Sequence, residues 1–431
     1  MLDSLKRLTK HSAVYGVGHI LTRVVGFLLL PLYTNKLPAR EFGVAAIIFA
    51  FLAVMTPIYT YGLDAAFLRY FILNDDARRR RKIFSTAFWS VFVVALLLSA
   101  GIFGLGGWLS GALLTERSYA GLIRIAGLIL LFDALAFLPF LYLRAVEKSV
   151  VYTTLKFVNV LVNVGLNLYF IVHLGRGVEG IFLANVWASA VTLLLVSFVL
   201  VQQVGFTYSV ADVKELLKFG LPFLPSVLSV VLLDLIDRPL MEKLAGLEMT
   251  GIYNAGVKLG MFMALLVTAF RFAWHPFFLS TSKQSNAPQI FSRVFTYFTL
   301  VGSAVFLTVS FFVDEIAQFR LGSFTLIGRE YWSGTQVVPL ILLAHLLYGM
   351  YVNFIVGIYL KNKTRVLPLI TLAGVGVNVA ANVLLIPRLG MMGAGYARVA
   401  GYFVMAGLLY VFAQRFYRID YEVGRLLKLA G

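Results

Sequence analysis

Cysteine is absent from the chain, which excludes disulfides, thiol nucleophiles and Cys-ligated metal centres. Histidine is scarce. His11, His19, His173, His275 and His345 are scattered, and none stands at the spacing of an HExxH or similar metal pair. No metal and no cofactor is therefore expected. Charge is scarce as well: 13% of the 431 residues are Asp, Glu, Lys or Arg, against about 25% in a soluble chain. Acids are the scarcer sign, 20 against 37 Lys and Arg. Long polar stretches are missing too. A membrane-embedded glycosyl- or acyltransferase would need a catalytic carboxylate or His constellation and a sizeable extramembrane loop. Neither is present, so an enzyme is not expected.

What fills the chain is apolar surface. Hydrophobic residues make up 60%, and the mean hydropathy is +0.88. Twelve apolar segments stand at 12–34, 43–72, 83–108, 119–142, 150–172, 178–202, 215–238, 249–280, 288–313, 335–360, 365–386 and 391–413. Each is near the ~20 residues that cross a hydrocarbon core. An all-α polytopic membrane protein with twelve transmembrane helices is expected. The first run is longer than a signal peptide's apolar region and shows no small-residue cleavage site, so the first helix should stay.

Bases cluster in alternate connections, including Lys6, Arg7, Lys10, Arg144, Lys148, Lys361, Lys363 and the run ARRRRK at 77–82. The positive-inside rule then puts both termini in the cytoplasm. ARRRRK between two spans reads as a topology anchor on anionic lipids rather than a nucleic-acid patch, so no nucleic-acid partner is expected. RFYRIDYEVGRLLKLAG, at the end of the chain, reads as a basic amphipathic helix lying on the membrane.

The chain repeats itself. VNVGLNLYFIVHLG at 162–175 matches VNVAANVLLIPRLG at 377–390. Asn163, Asn167, Gly175 and Gly180 correspond to Asn378, Asn382, Gly390 and Gly395; EFGV at 41–44 faces MTGI at 249–252. Six spans return a chain to its starting side, so the copies form a parallel repeat about an axis along the membrane normal. The expected organisation is an N-lobe at 1–207, a C-lobe at 208–414 and a basic tail at 415–431.

Polar residues fall into helical stripes. Tyr15, His19 and Arg23 step by four in span 1; Tyr152, Lys156, Asn159, Asn163 and Asn167 share a face of span 5. Asn254 and Lys258, Arg271 and His275, and Asn378 and Asn382 are i, i+4 pairs. Such stripes face another helix or water rather than lipid. Seven bases (Arg23, Arg69, Arg124, Lys156, Lys258, Arg271 and Arg398) and four acids (Asp64, Asp133, Asp234 and Asp237) are assigned to the membrane interior, the remaining charges near span ends being assigned to the connections. Internal pairing cannot neutralise that surplus. A cation inside the bilayer costs a few kcal/mol, so either bases snorkel or they line a wet cavity that wants an anion. Asp234 and Arg238, at i, i+4, can satisfy each other. Asp64 and Arg69 read as a gate or interface ion pair, and Asp64 or Asp133 as a group that could couple a proton.

YGVGHILTRVVGFLLLPLYTNKLPAREFGVAAI, with YGLDAAFLRYF, AFRFAWHPFFLS and the Asn/LG repeat, resembles polysaccharide-biosynthesis flippases. These O-antigen and exopolysaccharide exporters share a superfamily with MATE drug exporters and the lipid II flippase. The resemblance covers nearly the whole chain and implies two six-helix, MATE-like lobes with a cationic cavity, in a bacterial inner membrane. It implies as cargo an undecaprenyl-diphosphate-linked oligosaccharide, moved by alternating access, with membrane lipids and polysaccharide polymerase and chain-length components as partners. Arg23 matches the position type that holds diphosphate, and Arg271 is a second such residue. With them, Lys156, Lys258, His19, Asn159, Asn163, Asn378 and Asn382 are the expected diphosphate- and sugar-binding set. Asp64, Arg69 and Asp133 are the gating or coupling set. Three rival readings stand. A MATE-type cation-coupled exporter needs a cavity carboxylate. A lipid II flippase would carry further C-terminal spans. A structural scaffold for polysaccharide assembly is the third.

Overall fold

The computed structural model describes residues 26–361, 363–422, 424 and 425. Most of expected span 1, with His19 and Arg23, lies outside the described residues. The described chain is helical apart from one short β-hairpin, which fits a chain whose backbone must satisfy itself in lipid. Ten described helices or helix runs are long and apolar enough to cross a membrane. One of them, Val227–Thr281, has 55 residues, more than twice what one crossing needs.

Two compact units emerge. The first takes the described residues up to Leu37 together with Val44–Val231. It contains α1 (Leu30–Lys36), most of α2 (Ala39–Thr60), α3 (Leu63–Ile72), α4 (Ala77–Gly104), α5 (Gly106–Leu114), α6 (Ala120–Ala145), α7 (Ser149–Asn167), α8 (Gly177–Gln203), α9 (Val210–Gly220) and the start of α10 (Leu224–Leu235). Expected span 2 is broken: α2 and α3 meet at Tyr61 and Gly62, both with positive φ, 33° and 77°. Gly62 must be glycine twice over, because a Cβ there would lie 2.1 Å from the Gly220 carbonyl oxygen.

The base-rich start of α4 opposes the helix dipole, whose N-terminus favours anions. Three carboxylates offset it. Asp76 caps the helix, accepting from the Arg78 N–H at 3.0 Å. Arg79 makes a two-pronged pair with Asp212 of α9, both contacts 2.9 Å, and Arg80 lies 3.8 Å from Asp75. Trp89 Nε1 donates to the Gly205 carbonyl at 2.9 Å, holding the connection before α9 against α4.

The second unit takes Pro38–Gly43 and the chain from Leu232. It contains α11 (Asp237–Thr281), α12 (Ala287–Phe311), α13 (Val313–Gln318), α14 (Val338–Leu360), α15 (Leu367–Leu389) and α16 (Met391–Phe416). The hairpin β1 (Arg320–Leu321) and β2 (Phe324–Thr325) pairs Arg320 with Thr325. α11 breaks at Gly246, whose φ of 87° is open to glycine and strained for other residues. Small residues let backbones approach. A Cβ on Gly251 would lie 1.9 Å from the Ala39 oxygen, and one on Gly256 would lie 2.2 Å from the Gly334 oxygen. Apolar side chains fill the rest: Leu233, Ile358, Ile370, Met405 and Leu409 in one cluster, Met241, Tyr253, Ile341 and Ile386 in another.

Of the amphipathic helix expected at 415–431, residues 417–422 have no helical assignment, Gly424 and Arg425 are helical, and 423 and 426–431 lie outside the described residues. Segment 417–422 folds back on α12, where Ser292 and Thr296 hydroxyls donate to the Asp420 carbonyl and the Glu422 carboxylate, both at 2.8 Å. Buried Ile419 anchors it, bonded in both directions to the Gln414 amide.

Candidate functional site

In the first unit the polar stripe of α7 packs against α6 and α8. Asp133 of α6 lies close to Ser189 of α8 and interacts electrostatically with the Lys156 ammonium. That ammonium also sits 4.1 Å from the centre of the Phe140 ring, a cation–π contact. Asp133 thus offsets part of the Lys156 charge without a direct ion pair. The pairing is incomplete: the ammonium carries three donors and makes no hydrogen bond among the described residues. Asp133 is exposed rather than packed away. The pair therefore borders open space.

One helical turn along, Asn159 donates to the Ala188 carbonyl at 3.2 Å and to the Thr192 hydroxyl at 2.7 Å. Asn167 donates to the Asn163 carbonyl and side-chain oxygen at 2.8 and 3.0 Å, and accepts from the Tyr33 hydroxyl at 2.9 Å. The second unit reproduces this geometry. Asn382 donates to the same two oxygens of Asn378 at 2.9 and 3.1 Å. Asn378 and Asn382 are 0% exposed and Asn163 8%. The four buried amides close on their own helices and Asn159 ties α7 to α8, each within its own unit; Asn163, Asn167, Asn378 and Asn382 do not line an open surface in this conformation.

An ionic cluster occupies the second unit. Arg398 of α16, 1% exposed, donates to the Asp237 carboxylate at 2.6 Å. Tyr253 donates to the same carboxylate, and Tyr402 donates to the Asp234 carboxylate. Arg238 does not pair with the Asp234 side chain, as i, i+4 spacing suggested. It donates to the Asp234 backbone carbonyl at 3.0 Å and to Asn254 at 3.2 Å, and its charge faces Asp237 at 3.7 Å. The reason is that Tyr402 and Arg398 approach from α16 and draw the carboxylates toward themselves. Glu242, outside the expected spans, is also buried. Two guanidinium groups and two carboxylates leave this cluster close to neutral.

Lys258 is left over. It is half-buried, feels the like charge of Arg238 and has no ion-pair partner among the described residues. Arg271 is also without a carboxylate there. Its Nη1 donates to the Tyr348 hydroxyl at 3.1 Å, and Tyr348 packs against Tyr351 and Tyr402 at 6.0 and 5.6 Å between ring centres. His275, one turn on, packs edge-on to Tyr359 and tilted against Phe278. Lys258 and Arg271 stand thirteen residues apart on α11, about 20 Å at 1.5 Å per residue. They mark two levels, and no single diphosphate bridges them.

Asp64 and Arg69 form no ion pair with each other in this conformation. Five residues along a helix turn about 140° around it, so the two point apart. Arg69 lies instead 4.6 Å over the Phe219 ring. Arg124 is exposed and donates to the Phe103 carbonyl at 3.4 Å. Spacing within one helix could not identify Ser189, Tyr348 or Tyr402, whose partners come from other helices, nor Tyr253, which reaches Asp237 across the break at Gly246. Their one signal is the i, i+4 placement of Arg398 and Tyr402.

Among known proteins, a family model described as polysaccharide biosynthesis protein matches residues 8–282. No curated protein matches the chain by sequence. Solved structures do match by fold. The lipid II flippase MurJ in an inward closed conformation aligns with TM-score 0.76 at 12% identity, over 97% of this chain and 90% of that one. An inward-facing multidrug resistance MATE family transporter of the MOP superfamily aligns with TM-score 0.68 at 14% identity, over 91% and 94%. A mutant of the Vibrio cholerae MATE transporter VcmN gives 0.61 at 14% identity, over 96% and 97%.

Proposed function

We propose, for a chain that belongs to the polysaccharide biosynthesis protein family, that it carries an undecaprenyl-diphosphate-linked oligosaccharide across the bacterial cytoplasmic membrane by alternating access. The protein is a multi-pass membrane protein of the flippase and exporter kind, not an enzyme. The cargo, an O-antigen, exopolysaccharide or similar repeat unit, moves from the inner to the outer leaflet. Both termini face the cytoplasm, and polymerase and chain-length components receive the product.

The observation that carries this reading is the sorting of cations in the second unit. Arg238 and Arg398 are matched by Asp237, whereas Lys258 and Arg271 have no carboxylate among the described residues. Unmatched cations at membrane depth favour an anionic ligand. A diphosphate would accept charge-assisted hydrogen bonds from them. Their separation along α11 makes them successive stations. Arg23, outside the described residues, and Lys156, with its donors free, complete the set. Asn159, Asn163, Asn378 and Asn382 support helix packing in this conformation, so the sugars would meet Tyr348 and Tyr351 beside Arg271 first.

The test is a reconstituted flipping assay with a fluorescent lipid-linked oligosaccharide. Arg271→Ala and Lys258→Ala should each slow transport about ten- to a hundredfold, the worth of a hydrogen bond to a charged group. Wild-type rates in both, at equal protein level, would remove the reading. A second reading rests on open Asp133: a MATE-type exporter needs such a carboxylate. Asp133→Asn that abolishes efflux of a cationic dye while sparing oligosaccharide flipping would favour it.

A further inference from the structure

An apolar groove of about 310 Å³ runs along the second unit. Its walls are Phe295 of α12, Leu347, Met350 and Phe354 of α14, and Phe403 and Ala406 of α16, with Tyr421 at one end. Almost no polar atom lines it. It is open to the surroundings, since Phe403 is 65% exposed. For a membrane-spanning helix, that face looks at acyl chains.

A second depression, about 560 Å³, continues from it past the shared residues Tyr410 and Tyr421. Here the lining changes character to Gln414, Arg415, Arg418 and Asp420. The Tyr421 ring forms the partition, packed on Phe295, Phe354 and Tyr410 at 4.9, 5.4 and 5.9 Å. Burial pushes the Tyr421 phenol above its ordinary value, so it stays neutral and serves as a wall. Two more bases stand against the adjoining residues of the chain: Lys361 lies over the Tyr417 ring and Lys363 over Phe416, at 6.0 and 5.7 Å. Asp420 offsets part of this, pairing with Arg418 at 3.1 Å. The lining holds two bases against one acid, which leaves a net positive mouth on an apolar slot.

We propose that this groove holds one anionic phospholipid, its chain between α12, α14 and α16 and its phosphate at Arg415 and Arg418. The shape and the charge agree on that occupant. An acyl chain needs a dry slot open sideways to the bilayer, and an anionic headgroup needs bases at the slot's membrane-surface end. The folded-back segment 417–422 builds the junction between the two, so lipid binding would also hold that segment against α12.

Native mass spectrometry of the full-length protein, with phosphatidylglycerol and phosphatidylcholine offered together, tests this. Wild type should retain one phosphatidylglycerol in preference to phosphatidylcholine. Arg415→Gln with Arg418→Gln should cut that preference about tenfold, from ~1 kcal/mol per base near a membrane surface and one base already offset by Asp420. The groove itself is tested separately by Gly407→Leu. Gly407 lines the slot, and a Cβ there meets nothing within 4 Å, so the larger side chain fills it without a clash. That variant should lose both lipids alike. Equal retention of the two lipids by wild type, or undiminished phosphatidylglycerol in either variant, would overturn the assignment. Displacement of the phospholipid by an equimolar long-chain polyprenyl phosphate would overturn it too, giving the groove to a carrier lipid instead.

Discussion

Asp237 is the residue on which the second unit's ionic cluster turns. Its carboxylate accepts from Arg398 and Tyr253 and faces Arg238, and it is 0% exposed. Removing one member of a buried pair strands the other charge, which costs about 3–5 kcal/mol. Asp237→Asn keeps the shape and removes only the charge, leaving two guanidinium groups facing no full counter-charge from that position. A fall in the thermal midpoint in detergent should follow, far larger than for Glu179→Gln. The Arg176–Glu179 pair is 3.4 Å long and about half exposed, worth about 0–1 kcal/mol. Equal midpoints for the two variants would show that the cluster is not a buried ionic core. Such partnerships are the least legible part of the sequence. Arg398 and Asp237 are 161 residues apart, and nothing in local spacing says that α16 delivers its arginine to the start of α11. The i, i+4 rule pointed to Asp234 and Arg238, and the tertiary partners overrode it. The i, i+4 asparagines were legible for the opposite reason: Asn163 with Asn167 and Asn378 with Asn382 make their bonds within one helix.

Helices carry the repeat more plainly than single residues do. Both copies of the Asn motif run into a glycine of positive φ, Gly175 at 63° and Gly390 at 56°, where each helix turns back into its neighbour. Small residues also decide how closely helices meet. Gly43 and Gly251, which face each other in the repeat alignment of EFGV and MTGI, pack backbone to backbone, with a Cβ on Gly43 falling 2.0 Å from the Leu247 oxygen. No side chain relieves that contact, because the obstacle is main chain. Gly251→Ala must therefore push the start of α2 off α11. The expected cost is above 2 kcal/mol, in the range of overpacking, against about zero for Gly376→Ala, whose Cβ meets nothing within 4 Å. Paired thermal melts would check it, and an unshifted Gly251→Ala would mean that the helices do not touch there. Spans were readable from hydropathy because lipid demands long apolar helices. The break inside expected span 2 was not, since Tyr61 and Gly62 lie within a run that is apolar on both sides, whereas Gly246 falls in the connection expected between 238 and 249. The fold-back at 417–422 was missed for a related reason: its amphipathic pattern suits a helix, but Tyr421 finds better packing in the aromatic cluster of Phe295, Phe354 and Tyr410.

At the scale of the whole molecule the question is what drives cargo one way. Each elementary charge moved through a membrane potential gains or loses about 2.3 kcal/mol per 100 mV. With the cytoplasm negative, an anionic diphosphate moving outward goes downhill, a bias of about fiftyfold per charge at 100 mV. The cations that would hold it do not travel with it. Lys258 and Arg271 are fixed on α11, so a change of access shifts them little along the field and leaves the cargo's charge uncompensated in transit. The carboxylates of the second unit are engaged by arginines and tyrosines, which leaves exposed Asp64 and Asp133, of the four acids expected in the spans, to bind a travelling cation. In proteoliposomes with a potassium diffusion potential set by valinomycin, the flipping rate of a lipid-linked oligosaccharide should rise when the donor side is negative and fall when the sign is reversed. A MATE-type exporter of cations gives the opposite sign, because its cargo climbs the same potential on the way out. A rate indifferent to the sign of the potential would mean that charge moves with the cargo, and the unmatched cations of α11 would then need another purpose.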